Sequence, residues 1–595
     1  MTEISYLIEV LPDGVKVRAK TGEILAEALE RAGVPLTLYC HKKRLCGKCA
    51  VRIRAGLLPL LEAHEKAVLD KRGLGPDHRL ACGFTVRGDM VVETLPESRL
   101  GKVSVLETGI SKPVTFDPQV RKLYIALEKP SLSSPEALAE SLEAVLGAGG
   151  LRLGLDALRN LGGLAAVPEA PRPATVVMYG EREILDIEES DTSGQAYGLA
   201  VDIGTSTVVA ELVDLNSGAA VARASAMNSQ TSYGADVVSR LTFAFQNPDN
   251  LRRLKKSIVH LLNGLVADMT GRTGVPRDRI YEAVVAGNTA MNHFLCGVSV
   301  DSLALSPFNA VFSNLPPLPA ADVGLELHSQ ARVYIVPNIR SFVGGDITAG
   351  LAACELPASP GNALFIDIGT NGEIILKKGP QFIATSTAAG PAFEGMSISC
   401  GMLAVEGAVQ KAEWRDGFRL QTIGGLPPQG VCGTGLIDIV ALGLAQGLIS
   451  RGGKIAGREK KLPLVGNLSL SQHDIREIQL ATGAVKTGVR LMLKEFHVSL
   501  KELDAVYVAG AFGNSLNIRH AQALGLLPSL PEKKIIFVGN SSLAGARRLL
   551  LAAPERTAAE ALAKTTAHIS LATRSDFQEE FVRALEFGPS SGGKK

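Results

Sequence analysis

Hydrophobic and polar positions alternate with period two at the start of the chain. ISYLIEVL (4–11) and GVKVRA (14–19) read as two strands of a hairpin turning at Pro12-Asp13. TGEILAEALERAG (21–33) changes the period. Ile24, Leu25, Ala28 and Leu29 fall on one helical face, with Thr21 as N-cap and Gly33 as stop. CAVRIRAG returns to a strand, a second helical segment follows, and FTVRGDMVVETL reads as strands. Residues 96–115, punctuated by Pro96, Gly101, Gly109 and Pro113, read as a linker. The small stretch 116–196 is a middle domain. It predicts a strand at RKLYIALEKP, a helix at SSPEALAESLEAVLGAGG capped by Ser133 or Ser134, and a strand pair around Gly180. No chemistry is visible in it, which leaves a spacer or dimerisation role.

One pattern occurs twice. LAVDIGTSTVVAELVDLNSG (199–218) and NALFIDIGTNGEIILKKG (362–379) each run an apolar strand into Asp-Ile-Gly-Thr and return as a second strand. The repetition predicts a duplicated, two-lobed domain. A tight hairpin of this kind presents backbone N–H groups and a hydroxyl to phosphate, because glycine permits positive φ and close approach. An aspartate at each strand end can hold Mg²⁺ or orient an attacking water. The chain after the glycine returns as a strand, so neither copy is a Rossmann or P-loop turn. Three further runs, AVVAGNTAMNHFL (283–295), VYVAGAFGNSLN (506–517) and IIFVGNSSLAGARRLL (535–550), end buried strands in Gly and Asn. The first and third lead into helices, the third with Ser541 or Ser542 as its cap. VCGTGLIDIV (431–440) adds another Gly/Thr turn with Asp438 behind it, and GPSSGGKK closes the chain as a disordered tail.

Composition narrows the function classes. A chain of 595 residues with a net charge of +2 holds several cores and lacks the basic excess of a nucleic-acid binder. It has no apolar run long enough for a membrane span, and MTEISYLIEV lacks the parts of a secretory signal. Eight cysteines, half of them clustered, do not form a secreted disulfide framework, so a cytoplasmic protein is expected.

The clustered cysteines are Cys40, Cys46, Cys49 and Cys82, spaced C-x5-C-x2-C-x32-C. Four thiolates suit a 2Fe–2S cluster, with one loop wrapping it and Gly47 admitting backbone N–H groups to the sulfides. Zinc also takes four thiolates, but its ribbons pair two close C-x2-C knuckles, and here only Cys46 and Cys49 form one. Lys42, Lys43, Arg44 and Lys48 either offset an anionic cluster and meet an acidic partner or simply face solvent. Hairpin, helix and cysteine loop in this order resemble the β-grasp fold of 2Fe–2S ferredoxins, with a first gap like the adrenodoxin branch. Residues 1–95 therefore read as an electron-carrying module.

Aspartic proteases also carry one Asp-x-Gly-Thr per lobe, with carboxylates that share a proton. Ile at the middle position, the Ala/Leu-rich helical segments between the copies, and the extra glycine loops all count against that reading. Two phosphate hairpins followed by those loops resemble the acetate and sugar kinase, Hsp70 and actin superfamily of ATPases (ASKHA) over roughly 197–590, within a domain taken as 197–595. The chain is thus expected to be an α/β multidomain protein: β-grasp ferredoxin domain, small α/β middle domain and two-lobed ATPase. Cys296, Cys354, Cys400 and Cys432 lack metal spacing and read as small core residues, a second cluster at Cys400 or Cys432 being the alternative. His293 is better explained by packing than by ligation.

A ferredoxin joined to an ATPase suggests an electron driven uphill. One electron across ~200 mV requires roughly 5 kcal/mol, within reach of ATP hydrolysis coupled to a lobe motion. The whole arrangement, with VPNIRSFVGGDITAG (336–350) and GPAFEGMSISCGMLAVEGAV (390–409), resembles the reductive activators of corrinoid proteins. That resemblance implies ATP-dependent reduction of a partner's corrinoid from Co(II) to Co(I). The partner would be a corrinoid iron–sulfur protein or the corrinoid protein of a methyltransferase or demethylase system. It further implies an external low-potential electron donor and a homodimer, with no nucleic acid and no membrane involved. Cys40, Cys46, Cys49 and Cys82 would bind the 2Fe–2S cluster. Asp202 and Asp367 would manage Mg²⁺ and the attacking water. Gly204, Thr205, Ser206, Gly369, Thr370 and Asn371 would cradle the phosphates of ATP, and Gly510, Gly513, Gly539 and Asn540 would meet the adenosine. Two other classes stay open: an ATP-coupled donor to another low-potential enzyme, like the activators of 2-hydroxyacyl-CoA dehydratases, or a non-catalytic nucleotide-binding redox sensor.

Overall fold

The computed structural model describes residues 4–34, 36, 44, 47–95, 98, 112–127, 137–147, 149–165, 172–234, 236–395, 397–466, 468–510, 512 and 515–589. The chain forms two bodies. One comprises Met1–Ser104, Ser229–Arg240 and Pro391–Ile478; the other comprises Val105–Asn228, Leu241–Gly390 and Gln479–Lys595.

In the first body the N-terminal alternation produces β1 (Ser5–Leu11) and β2 (Val15–Lys20), paired antiparallel with Val10 opposite Val15. Ile8, Val10, Val17 and Ala19 point inward and meet Leu25, Ala28 and Leu29 of α1 (Leu25–Arg31). The expected cap of this helix moves. Ile24 occupies the N-cap without a side-chain bond, while the Thr21 hydroxyl donates to Ile4 O at 3.0 Å. β3 (Ala50–Gly56), α2 (Ala63–Lys71), β4 (His78–Leu80) and β5 (Met90–Thr94) complete a five-stranded sheet of order β2-β1-β5-β3-β4. Of FTVRGDMVVETL only β5 is a regular strand. The chain bends at Gly88 before it, the Asp89 carboxylate accepts the Leu7 N–H at 2.8 Å, and Thr85 makes only an isolated bridge to Ile24.

The second body begins with β6 (Val120–Leu127), α3 (Leu138–Leu146), β7 (Arg152–Leu153), α4 (Leu155–Ala165), β8 (Arg172–Tyr179) and β9 (Glu183–Glu189), in sheet order β6-β8-β9-β7. The turn at Gly180 joins β8 and β9 as expected. α3 starts later than expected, with Ala137 at its N-cap; Ser133 and Ser134 lie outside the described residues. Val120, Val177 and Leu185 share one core with Ala200, Val209, Val284 and Leu549.

That core belongs to the first lobe: β10 (Tyr197–Ile203), β11 (Thr207–Asp214), β12 (Ala220–Met227), α5 (Val237–Gln246), α6 (Pro248–Thr273), β13 (Ile280–Gly287), α7 (Thr289–Cys296), α8 (Asp301–Ala304), β14 (Leu318–Pro319), α9 (Ala320–Val323), β15 (Arg332–Ile335) and α10 (Gly345–Ala353). Its sheet order is β12-β11-β10-β13-β15-β14. The C-terminal third supplies β16 (Asn362–Ile368), β17 (Gly372–Lys378) and β18 (Gln381–Thr387); the chain then enters the first body as β19 (Ala408–Trp414), β20 (Phe418–Thr422), β21 (Gly430–Val431), α11 (Gly433–Ala445), β22 (Lys461–Pro463) and β23 (Ser469–Ser471). α12 (Gln472–Glu495), β24 (Ala505–Gly510), α13 (Ile518–Leu524), β25 (Ile535–Gly539), α14 (Ser541–Leu551), α15 (Pro554–Thr565), β26 (Ala567–His568) and α16 (Phe577–Ala584) follow. The second lobe's sheet reads β25-β24-β16-β17-β18-β26.

The two lobes share one plan. In each, three strands form an antiparallel meander and two further strands add parallel to the first. The helix after the fifth strand is α10 in the first lobe and α14 in the second. These helices cross backbone to backbone, because Gly545 has no Cβ to collide with the Ala349 carbonyl. Among the described residues no helix is long and apolar enough to cross a membrane.

Candidate nucleotide cleft and iron–sulfur loop

Both Asp-Ile-Gly-Thr hairpins close as the strand periodicity predicts. Ile203 pairs with Val208 and Ile368 with Gly372, so the turns are 204–207 and 369–371. In the first turn, Asn228 holds Gly204 O through Nδ2 at 2.8 Å and Ser206 O through its N–H at 2.9 Å. Asn288, the N-cap of α7, donates through Nδ2 to Thr205 Oγ1 at 3.2 Å. In the second turn, Gly369 N–H donates to Asn371 O at 3.0 Å and Thr370 O accepts Gly390 N–H at 2.9 Å.

Asp202 and Asp367 end their strands within electrostatic reach of each other. Their surroundings differ. The Asp202 carboxylate accepts from Ser542 Oγ at 2.7 Å and Asn540 Nδ2 at 2.9 Å, although burial still lifts it above the usual carboxylate range. Among the described residues no hydrogen-bond donor reaches Asp367, and burial together with the Asp202 charge pushes its pKa up to about 7. Gly510, at φ +102°, lies beside it; a Cβ there would collide with Ile368 O and stand 2.9 Å from Asp367 Oδ1.

Two further carboxylates join this cluster. Asp346, in the first turn of α10, is pushed up to about 7 by burial and then by Asp367. Glu373, on β17, is raised well above its usual value by burial, Asp346 and Asp367. Each of the four carboxyls is enclosed by protein yet keeps part of its surface open to solvent. Four carboxyls brought together, with two held near neutrality, form a donor set suited to a hard divalent cation bearing phosphate. The signal for Asp346 was the Gly-Gly-Asp opening a helix; for Glu373 it was an acidic residue directly before the apolar run Ile374–Leu376.

The adenosine candidates separate. Asn540 caps α14, its Oδ1 accepting Leu543 N–H at 2.8 Å, so Asn540 rather than Ser541 or Ser542 is the cap. Both ends of its amide therefore serve the helix and Asp202. Gly539 precedes it at φ +62°, Gly510 backs Asp367, and Gly513 lies outside the described residues.

Of the cluster cysteines, Cys40 and Cys46 lie outside the described residues, as do Lys42 and Lys43. Cys49 and Cys82 are brought together by the β3–β4 ladder: Ala50 pairs with Leu80, and Cys49 O accepts Ala81 N–H at 3.1 Å. Both are nearly inaccessible, at 1% and 4%, within a small core of Val68, Leu69 and Leu80. A paired, dry thiol set at the root of a loop fits thiolate ligation of an iron–sulfur cluster. Arg44 donates to Glu62 at 2.7 Å and Gly83 O at 2.9 Å.

Among the described residues Cys296, Cys354, Cys400 and Cys432 form no disulfide. Cys354 and Cys432 are buried, and burial pushes the Cys400 thiol up to about 12. His293 packs on Phe312 with ring centroids 4.3 Å apart, and its Nε2 accepts Val311 N–H at 3.1 Å. Asp186, Glu188 and His328 come close enough together to suit a metal, but Lys122 Nζ already meets Glu188 at 2.7 Å and His328 meets Asp186 at 3.0 Å.

Comparison with known proteins accounts for most of the chain. Residues 8–87 match the 2Fe-2S iron-sulfur cluster binding domain, 109–194 the RACo linker region, 197–359 the RACo middle region, and 361–592 the C-terminal domain of RACo, the ASKHA domain. A solved structure described as a reductive activator for corrinoid, iron-sulfur protein is 32% identical, covers 98% of this chain and 99% of its own, and superposes with a TM-score of 0.74. The chain belongs to the family of corrinoid reductive activators. Within that activator family, the corrinoid activation enzyme RamQ of Eubacterium limosum is 29% identical over 95% of this chain and 96% of its own. The [Co(II) methylated amine-specific corrinoid protein] reductase of Methanosarcina barkeri is 27% identical over 66% of this chain and 77% of its own. The β-grasp iron–sulfur domain and the two-lobed ATPase read from the sequence are those of the family.

Proposed function

We propose that this protein is an ATP-hydrolysing reductase that restores a partner's corrinoid from Co(II) to Co(I), returning it to a methyl-transfer cycle. The observation that carries this reading is the convergence of Asp202 and Asp367, one from each duplicated hairpin, on a single carboxylate cleft in a chain that also bears the ferredoxin module. Cys40, Cys46, Cys49 and Cys82 would hold the 2Fe–2S cluster, which supplies the single electron. Asp367, Asp346 and Glu373 would gather the water shell of Mg²⁺, giving up protons as the cation enters. Asp202, locked by Ser542 and Asn540, keeps one orientation and is suited to directing the attacking water. The turns 204–207 and 369–371 grip the phosphates from opposite lobes, so cleavage loosens one grip and lets the lobes move. Gly513 and Gly539 would leave room for the adenosine, whereas Gly510, against Asp367, would keep the carboxylate end of the cleft open. The partner is a corrinoid protein, an external low-potential donor refills the cluster, and the working form is a homodimer in the cytoplasm.

The test is anaerobic absorption spectroscopy of a corrinoid protein held as Co(II), mixed with the reduced protein with and without Mg-ATP. Co(I) bands that appear only with ATP are the expected result. ATP hydrolysis with cobalt left as Co(II) for every corrinoid protein tried would overturn the choice of acceptor.

A further inference from the structure

The loop bearing Cys49 does not end at the ferredoxin fold. Lys48, the residue before Cys49, donates through Nζ to the carbonyl of Gly401 at 2.6 Å, 353 positions away and within the same body. The acceptor is held to receive it. Cys400 O accepts Val431 N–H at 2.8 Å and Met402 N–H donates to Val431 O at 3.0 Å, so both flanking groups face β21. Along an extended chain the intervening carbonyl faces the other way, which leaves Gly401 O as a bare edge acceptor on the side that Lys48 occupies. Behind this edge, Ser399 is fixed by Asp474, whose buried carboxylate accepts its N–H at 2.7 Å and its hydroxyl at 2.6 Å. The same carboxylate takes Ser471 N–H at 2.7 Å at the start of α12. The edge is therefore backed by a rigid anchor, and a charged amine on a backbone carbonyl is among the stronger neutral-acceptor bonds.

We propose that the Cys400–Met402 edge is the surface on which the cluster-binding loop docks, with Lys48 as its positioning residue. The inference deepens the functional reading and rests on it for the identity of the loop as cluster-bearing. Docking here places the loop on the segment that begins just after Gly390, the residue bonded to the second phosphate turn through Thr370 O.

The experiment uses the full-length, cluster-loaded protein under anaerobic conditions, with lysine acylation by an N-hydroxysuccinimide acetate read by mass spectrometry. Lys66, exposed on α2, is the reference. Lys48 should acylate about tenfold more slowly than Lys66, because a charge-assisted hydrogen bond must open first. Amide hydrogen exchange then compares Lys48→Met and Lys48→Arg with the parent. The methionine variant should raise exchange in 398–402 and 47–53, and arginine, which can still reach a carbonyl, should restore protection. Acylation of Lys48 at the Lys66 rate would overturn the proposal, as would unchanged exchange in Lys48→Met. If Lys48→Met loses the cluster, the acylation rate of the parent protein decides alone. None of these readouts involves ATP turnover or cobalt, so they fail separately from the proposed activity.

Discussion

Asn540 joins the start of α14 to the carboxylate of Asp202, its Oδ1 accepting Leu543 N–H at 2.8 Å and its Nδ2 donating to Asp202 Oδ2 at 2.9 Å. One side chain thus caps a helix in one lobe and orients the strand-end aspartate of the other. Two substitutions separate these tasks. Asn540→Ala should remove both and lower stability by about 0.5–2 kcal/mol, the usual cost of a lost N-cap. Asn540→Asp keeps the cap but sets a carboxylate against Asp202. It should cost less stability than alanine near pH 5, where sharing a proton relieves the repulsion, and more at pH 8. Urea melts at both pH values check this; identical pH dependence in the parent and Asn540→Asp would show that Asp202 does not depend on Asn540.

The lobes repeat in topology but not in charge. The helix after the fifth strand presents Asn540 to Asp202 in one direction and Asp346 to Asp367 in the other. Asp346 and Asp367 are both raised from 3.8 to about 7. The folded protein therefore holds these protons more tightly than the unfolded chain between about pH 4 and 7, and their stabilising contribution falls as pH rises through that window. A divalent cation must displace the same protons. Binding of Mg-ATP should release more protons at pH 6.5 than at pH 8.5, where Asp346 and Asp367 no longer contribute, measured by titration calorimetry in two buffers of different ionisation enthalpy. Asp367→Asn should reduce the release at pH 6.5; an unchanged release would place the cation away from Asp367.

Arg556, on α15, forms a bidentate pair with Glu282 on β13, at 2.7 and 2.9 Å, and Tyr179 of β8 donates to the same carboxylate at 2.8 Å. Glu282 is wholly buried and Arg556 nearly so, and the guanidinium lies 4.7 Å from the centre of the Tyr334 ring. The Tyr179 hydroxyl ties the small middle domain to the first lobe through this carboxylate, and Arg556 neutralises it. Removing one partner leaves an uncompensated buried charge. Arg556→Met should cost about 3–5 kcal/mol, and adding Glu282→Gln should recover a large part of it. Chemical denaturation of the two variants tests the coupling; additive losses would mean that water rescues Glu282.

What was legible in the sequence depended on how local its cause is. Period-two alternation in 4–19 and the doubled Asp-Ile-Gly-Thr are short-range patterns, and the strands and hairpin turns follow from them. Helix caps were less legible, because several neighbouring polar residues compete for one N–H. Asn540 took the cap expected of Ser541 or Ser542, since Ser542 finds Asp202 340 positions away. Thr21 spent its hydroxyl on Ile4 O, which left Ile24 to begin α1. Asp346 and Glu373 were hidden for the same reason at larger scale. Each is an ordinary residue in its own element, and only the convergence of α10 and β17 on the ends of β10 and β16 makes a cluster of them.

Cys82 offers a direct test of the iron–sulfur assignment, because its place is set by backbone pairing rather than by the cluster. Leu80 pairs with Ala50, and Ala81 N–H donates to Cys49 O at 3.1 Å, so the two thiols approach through the β3–β4 ladder itself. Serine is close to cysteine in size and fits this nearly closed site, whereas its hydroxyl is a far poorer ligand for iron than a thiolate. Cys82→Ser should therefore lose the visible absorption of the cluster while keeping the far-ultraviolet circular dichroism of the parent. A loss of both signals would mean that the cluster holds the domain together. An intact visible spectrum would move the fourth ligand elsewhere, and Cys400, beside Gly401 on the edge that meets Lys48, would be the next cysteine to replace.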